Sequence, residues 1–192
     1  DPLLATHLPT LTLTGLADAT TTAIGDLTAA GSFNSGAIAL DAAAGGVTRL
    51  QGANLVRDGG ATLAIAPRSA ASLAADEFLT FAGGTALVNG ILPPWLTIAR
   101  NGGDFATCGA NGIERATYTA TAFDPARNNQ VVNLTGPATL FAAQQAYAAR
   151  LAANLDLNGN TLVLGDGATG GLIMVNGTRL SNSGGTGSLV VA

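Results

Sequence analysis

Residues 154–192 consist of short β-favouring runs separated by turns rich in Gly, Asn, Asp and Ser. The runs are TLVL at 161–164, LIMV at 172–175 and LVV at 189–191. Val, Ile and Thr favour strands, whereas Gly and Asn tolerate the backbone angles of tight turns. No run is long enough for a helix, and no strand this short buries a core alone. The stretch therefore predicts a parallel β-solenoid, in which short strands stack turn upon turn.

The same rhythm occurs earlier in the chain. Runs at 37–40, 47–50, 53–56 and 62–65 recur at intervals of roughly seven to ten residues and are separated by glycines. A sandwich of hairpins gives the same spacing, but connections of varied length and abundant small residues favour a solenoid with a narrow interior. At roughly 20–25 residues per turn, the chain predicts about eight turns. We divide it into a Thr-rich N-terminal strand and edge segment, residues 1–31, and a β-solenoid, residues 32–192.

Charge is scarce, and this excludes some classes of protein. Charged residues make up 10% of the chain, which has no Lys, and the net charge is −4. Soluble helical proteins usually cover their outer faces with Glu and Lys, so the balance argues against a helical fold. The Arg residues form no cluster, which argues against a nucleic-acid partner.

One uncharged stretch has the length of a membrane span. Residues 78–99 carry no charge. Gly83-Gly84, Asn89-Gly90 and Pro93-Pro94 divide this stretch into pieces the length of a strand. We therefore predict solenoid strands here and no transmembrane segment.

Several motifs in the second half of the chain form a recognisable pattern: 87–93 (LVNGILP), Trp95, 104–107 (DFAT), 111–113 (NGI), Arg115 and 155–162 (LDLNGNTL). This pattern resembles that of a known family, the autotransporter-associated β-strand repeat proteins. The individual motifs match over about residues 85–192, and the general pattern of short strands and turns is similar over about residues 35–192. Cys108 stands where an aromatic residue is more usual in that pattern, so its role stays open.

The resemblance implies a right-handed parallel β-helix in a protein that is secreted or displayed on a bacterial surface. It also implies strands over 140–153, where the sequence LFAAQQAYAARLAA favours a helix by composition. The fold class we predict is therefore all-β, with one short helix near 141–152 as an open alternative.

The chemistry-bearing residues do not predict catalysis. His7 is the single histidine, and Asp76-Glu77 is the only adjacent acidic pair. Glycoside hydrolysis needs two carboxylates across a bound sugar, so a β-helical carbohydrate-active enzyme using Asp76 or Glu77 is the less favoured alternative. The Asp-Gly fragments lack the repeat of calcium-binding solenoids. We expect no catalytic residue, no metal and no cofactor.

The last residues predict a surface for self-association. Leu189, Val190 and Val191 form an apolar strand with no polar cap after it. Unpaired strand edges invite further strands, so either the chain continues past Ala192 or another molecule covers this end. For the second case we expect head-to-tail association with other copies of the chain. The predicted function is an extracellular structural solenoid: a surface stalk, an adhesin or a fibre subunit. A module that binds polysaccharide or a host surface is the alternative.

Overall fold

Stacked parallel strands form most of the described part of the molecule. The computed structural model describes residues 10–15, 20–31, 35–42, 46–68, 73–100, 102–125 and 127–191. Within those ranges all regular structure is strand and there is no helix. The strands build a β-solenoid of about 6 turns, which confirms the predicted fold class. The expectation of about eight turns was too high, because several turns use more residues than expected.

The N-terminal stack runs from the first described strand to the middle of the chain. Its strands are β1 (Thr10–Thr14), β2 (Thr20–Ala23), β3 (Leu27–Ala30), β4 (Ser35–Asp41), β5 (Thr48–Gly52), β6 (Leu55–Asp58), β7 (Thr62–Pro67), β8 (Glu77–Phe81) and β9 (Leu96–Ile98). Parallel pairing gives the orders β1-β4-β7-β9, β2-β5-β8 and β3-β6. The segment predicted as residues 1–31 thus contributes β1 to β3, which pair with β4 to β6.

The register of the N-terminal stack is regular. Thr10 pairs with Ala37, and Ala37 pairs with Ala64, so each of these turns takes 27 residues. Alternate residues face the interior, as strand geometry requires. Ile38 and Ile65 lie in one buried cluster, whereas Ala37 and Ala64 face outward. This core is built from aliphatic side chains stacked turn upon turn.

An antiparallel hairpin ends this stack. It consists of β10 (Asp104–Gly109) and β11 (Gly112–Arg115), and β10 also pairs antiparallel with β9. Ala106 and Ile113 face the N-terminal core, while Phe105 faces the other way. The sequence did not predict this reversal of direction.

The C-terminal stack has three strands in each turn. Its strands are β12 (Val131–Leu134), β13 (Ala138–Thr139), β14 (Gln144–Ala146), β15 (Ala148–Leu151), β16 (Leu155–Asp156), β17 (Leu162–Leu164), β18 (Gly171–Met174), β19 (Leu180–Ser181) and β20 (Leu189–Val191). The three parallel sheets are β12-β15-β18, β13-β16-β19 and β14-β17-β20. Val131 pairs with Ala148 and Ala148 with Gly171, so these turns take 17 and 23 residues. The register is kept although the turn length changes.

The short helix expected near residues 141–152 is wrong. Residues 144–146 and 148–151 are β14 and β15, and β15 is the middle strand of its sheet. Ala149 and Leu151 face the core of the C-terminal stack, while Tyr147 and Ala148 face the opposite side and are equally buried. Helix propensities differ by only tenths of a kcal/mol per residue, and pairing with two strands and burial on both faces outweigh them.

The uncharged stretch at 78–99 contains β8 and β9, as the sequence predicted. Phe78 and Leu79 on β8 and Leu96 on β9 are buried. Across the described ranges, no helix has the length and hydrophobicity needed to cross a membrane.

Candidate functional site

The predicted self-association residues lie on the edge strand of the last described turn. Leu189, Val190 and Val191 form β20, which pairs with β17 on one side. Among the described strands, none pairs with its other side. Leu189 packs against the core of the C-terminal stack, whereas Val190 and Val191 are each 47% exposed. The strand is therefore anchored from within and open at its edge.

The backbone groups that point out of this edge can be assigned from the ladder. Leu162 pairs with Leu189, and the Leu162 N–H donates to the Ser188 carbonyl at 2.9 Å. In a parallel ladder, successive residues direct their N–H and C=O groups to opposite sides. Val190 therefore faces β17, and the N–H and C=O groups of Leu189 and Val191 face the open edge. An added strand would bond to these two residues.

The first described turn presents a matching edge at the other end of the chain. The Gly15 N–H donates to the Asp41 carbonyl at 2.8 Å, and Thr14 pairs with Asp41. By the same alternation, Thr12 and Thr14 direct their backbone groups away from β4. Both edges belong to turns of three strands, β1 to β3 and β18 to β20.

A second constellation, which the sequence did not predict, joins the two stacks. Asp104 on β10 is 2% exposed and lies 3.0 Å from the Nε atoms of both Arg115 and Arg150. Arg150 on β15 is 6% exposed; it also donates from Nε to the Gly103 carbonyl at 2.7 Å and from Nη1 to the Asn133 side chain at 3.0 Å. A buried carboxylate and a buried guanidinium are costly to desolvate unless they are paired, and here each satisfies the other.

Tyr118 completes this buried network. Its hydroxyl donates to Asp104 Oδ1 at 2.8 Å and accepts a hydrogen bond from the Phe105 N–H at 3.4 Å. Burial, and then the hydrogen bond to the Asp104 carboxylate, raise the pKa of the Tyr118 phenol well above its usual value near 10.0. The phenol therefore stays protonated, which lets it donate to Asp104 at any ordinary pH.

The network lies beside an apolar junction. Phe105 packs with Tyr147, Val131 and Ala148, on the outer face of the sheet β12-β15-β18. Gly171 on β18 lies under Phe105, because a Cβ there would come within 3.0 Å of the Phe105 ring. The junction is therefore a packed, charge-paired interface between two coils rather than a loose linker.

Asp76 and Glu77 lie in different surroundings. Glu77 is fully buried and accepts hydrogen bonds from the backbone N–H groups of Ala42 and Arg68, at 3.0–3.2 Å. Asp76, its neighbour, is exposed. Glu77 thus ties neighbouring turns together, and its oxygens are directed to the backbone rather than to a cleft.

The remaining candidates from the sequence are placed as follows. Trp95 is half-buried against the N-terminal core, with the Arg57 guanidinium 5.7 Å from its ring. Cys108 is exposed on β10 and has a free thiol. His7 lies outside the described residues. Within the described part of the chain, no three His, Cys, Asp or Glu side chains gather as metal ligands do.

Comparison with known proteins adds no relative: no family model, curated protein or solved structure matches the chain. The class of protein is therefore defined by the fold alone. The chain is a parallel β-solenoid.

Proposed function

We propose that this chain is an extracellular structural β-solenoid that assembles head-to-tail, as a surface stalk, adhesin or fibre subunit. The observation that carries the proposal is the outer edge of β20, which no other described strand pairs with. Leu189 and Val191 direct their backbone groups toward it, and the side chains of Val190 and Val191 are exposed. Such edges are natural sites for adding a strand from another chain.

The partner we propose is a second copy of this chain. The last described turn offers three parallel strands, and so does the first, in which β1 to β3 pair with no described strand on their outer side. A contact between two different surfaces of identical subunits builds a filament unless its rotation closes a ring. The scarcity of charge, 10% of residues, keeps electrostatic repulsion between copies small.

Proline substitution tests the proposal without changing the inner ladder. Val191→Pro removes one edge N–H, and an edge strand tolerates proline where its N–H faces solvent. We expect elongated assemblies of the unmodified chain by electron microscopy at micromolar concentration, and none for Val191→Pro. Val191→Thr keeps both the N–H and the shape of the side chain and is the matched control.

A second variant separates head-to-tail assembly from other arrangements. Thr12→Pro removes an edge N–H from β1 at the opposite end, so it should also prevent assembly. Dispersed molecules of the unmodified chain at every concentration would contradict the proposal. Loss of assembly in Val191→Pro with normal assembly in Thr12→Pro would show that two tails meet instead.

A further inference from the structure

The first turn of the C-terminal stack is only partly covered. Ala120 bridges to Val132 on β12, and Asp124 bridges to Gln145 on β14, so the segment between them crosses over two of the three strands. The third strand, β13, pairs only with β16 among the described strands. The interior of the coil therefore opens to the surface above β13.

This opening is an apolar cleft of about 270 Å³. Leu134 and Leu140, both from the core of the stack, form its floor together with the half-buried Phe123. Pockets for drug-sized ligands usually range from about 300 to 1,000 Å³, so this cleft is of a size for one side chain.

Phe141 stands at the rim of the cleft. It is 86% exposed, the highest exposure of any large apolar side chain in the described part of the molecule. A phenylalanine this exposed gains by burial, and it borders a cleft lined by another phenylalanine and two leucines. One small surface thus carries both an aromatic knob and an apolar hole.

We propose that this surface pairs with itself, each copy placing Phe141 in the cleft of the other about a two-fold axis. A two-fold contact requires one self-complementary patch, and a knob next to a hole provides it. Charge is also compatible, because no Asp, Glu, Lys, Arg or His occurs from Val131 to Ala149. Asp124, next to the cleft residue Phe123, is paired with Arg127 at 3.3 Å, so a patch that meets its own copy brings no unpaired like charges together.

The contact is small, so the dimer is weak. It is also independent of head-to-tail assembly, because the cleft lies on the first turn of the C-terminal stack and β20 on the last. In an assembly held by strand edges, it would join filaments side by side.

The first test uses the chain with Val191→Pro, in which the strand edge is blocked. Sedimentation equilibrium into the high micromolar range should show a reversible dimer. Phe141→Ser should weaken this dimer by at least about thirtyfold, as expected for an aromatic hot spot. Leu11→Ser, which changes a large apolar side chain exposed to 55% on β1, is the matched control and should leave the dimer unchanged.

The second test detects the two-fold axis. Ala142 is exposed at the cleft, next to Phe141, so a cysteine there should lie near its own copy across the axis. In the background of Val191→Pro and Cys108→Ser, we expect Ala142→Cys to form a disulfide-linked dimer on mild oxidation, and Phe141→Ser to suppress it. The chain with only the natural Cys108 measures random cross-linking.

Several outcomes would overturn the proposal. A monomer at all concentrations would do so, and so would a dimer that is indifferent to Phe141→Ser. A monomer whose cleft takes up a soluble apolar dye would assign the cleft to a small ligand instead. Because Val191→Pro is present throughout, these outcomes are read whether or not the unmodified chain forms filaments.

Discussion

Tyr118 shows how one residue links the charge network to the stability of the fold. Its phenol donates to a carboxylate that also binds two guanidinium groups. The folded chain holds the protonated form, so the pKa of Tyr118 is raised relative to the unfolded chain, where it is near 10.0. The stability that this contributes is complete below about pH 10 and is lost as the pH rises above it.

We therefore predict that Tyr118 ionises only when the structure unfolds. The chain has two tyrosines, so Tyr147→Phe leaves Tyr118 as the single reporter. During an alkaline titration of that variant, the near-ultraviolet absorbance of tyrosinate should rise together with the loss of the β circular-dichroism signal. A rise near pH 10 with an unchanged circular-dichroism signal would refute the assignment.

For single residues, the sequence predicted the turns well but did not predict which side chains meet over long distances in the chain. Asn158 and Gly159, part of a predicted turn, have φ values of 47° and 78°, which their residue types favour. Arg150, by contrast, donates to a carbonyl 47 residues away. A local sequence pattern does not reveal such a pair. Which residues meet across the coil depends on the length of every turn between them.

The strand β18 makes a close approach between the two stacks. Gly171 has no positive φ, so its requirement is steric rather than conformational: a Cβ would lie 2.5 Å from Pro94 and 3.0 Å from the Phe105 ring. Gly136, in the corner between β12 and β13, has no atom within 4 Å of the same position. Gly136 therefore provides the control for a substitution at Gly171.

We predict that Gly171→Ala lowers the free energy of unfolding by about 1–3 kcal/mol, because it overpacks the junction. Gly136→Ala should change it by less than about 0.5 kcal/mol, because it meets open space. Urea denaturation followed by circular dichroism measures both. Equal effects of the two substitutions would mean that β18 and Phe105 do not pack as described.

The strand β15 explains why one element was difficult to predict. The residues of 140–153 favour a helix by composition, yet Ala148 and Ala149 are small enough to be buried on opposite faces of a middle strand. Patterning cannot show this, because a strand buried on both faces has no alternation of apolar and polar residues. Pairing with the strands of the turns above and below makes these residues a strand rather than a helix.

Across the whole molecule, Asp104 is the group on which the junction depends. Asp104→Asn keeps the shape but removes the charge from beside Arg150, which is 6% exposed. Removing one partner of a buried ion pair typically costs about 3–5 kcal/mol, and we predict a loss of stability of this size. The Arg115 side chain is 50% exposed, so Arg115→Ala should cost less than about 1 kcal/mol.

Thermal or urea unfolding of the two variants checks this order. Hydrogen exchange adds the location: Asp104→Asn should lose protection first at β10 and β15, while the inner ladders of each stack stay protected. A larger loss of stability from Arg115→Ala than from Asp104→Asn would contradict the central role of Asp104 in the network.

Short runs and glycine turns predicted the solenoid, but not its division into two stacks. The residues that divide it, Asp104 to Phe105, look in sequence like one more turn and strand. Their role depends on β10 running antiparallel to β9, which brings Phe105 onto the face of another sheet. The strand at 189–191 was predictable, because it is a short run of residues that favour strands.

The unequal turns have one more consequence. Successive turns take 27, 17 or 23 residues, and the step from Leu63 to Leu96 takes 33, yet strand pairing stays in register. The corners absorb the difference, so residues can be inserted or deleted there while each strand keeps its neighbours. Such a scaffold can carry foreign peptides at its corners, and over generations its surface can diversify while the ladder beneath it is unchanged.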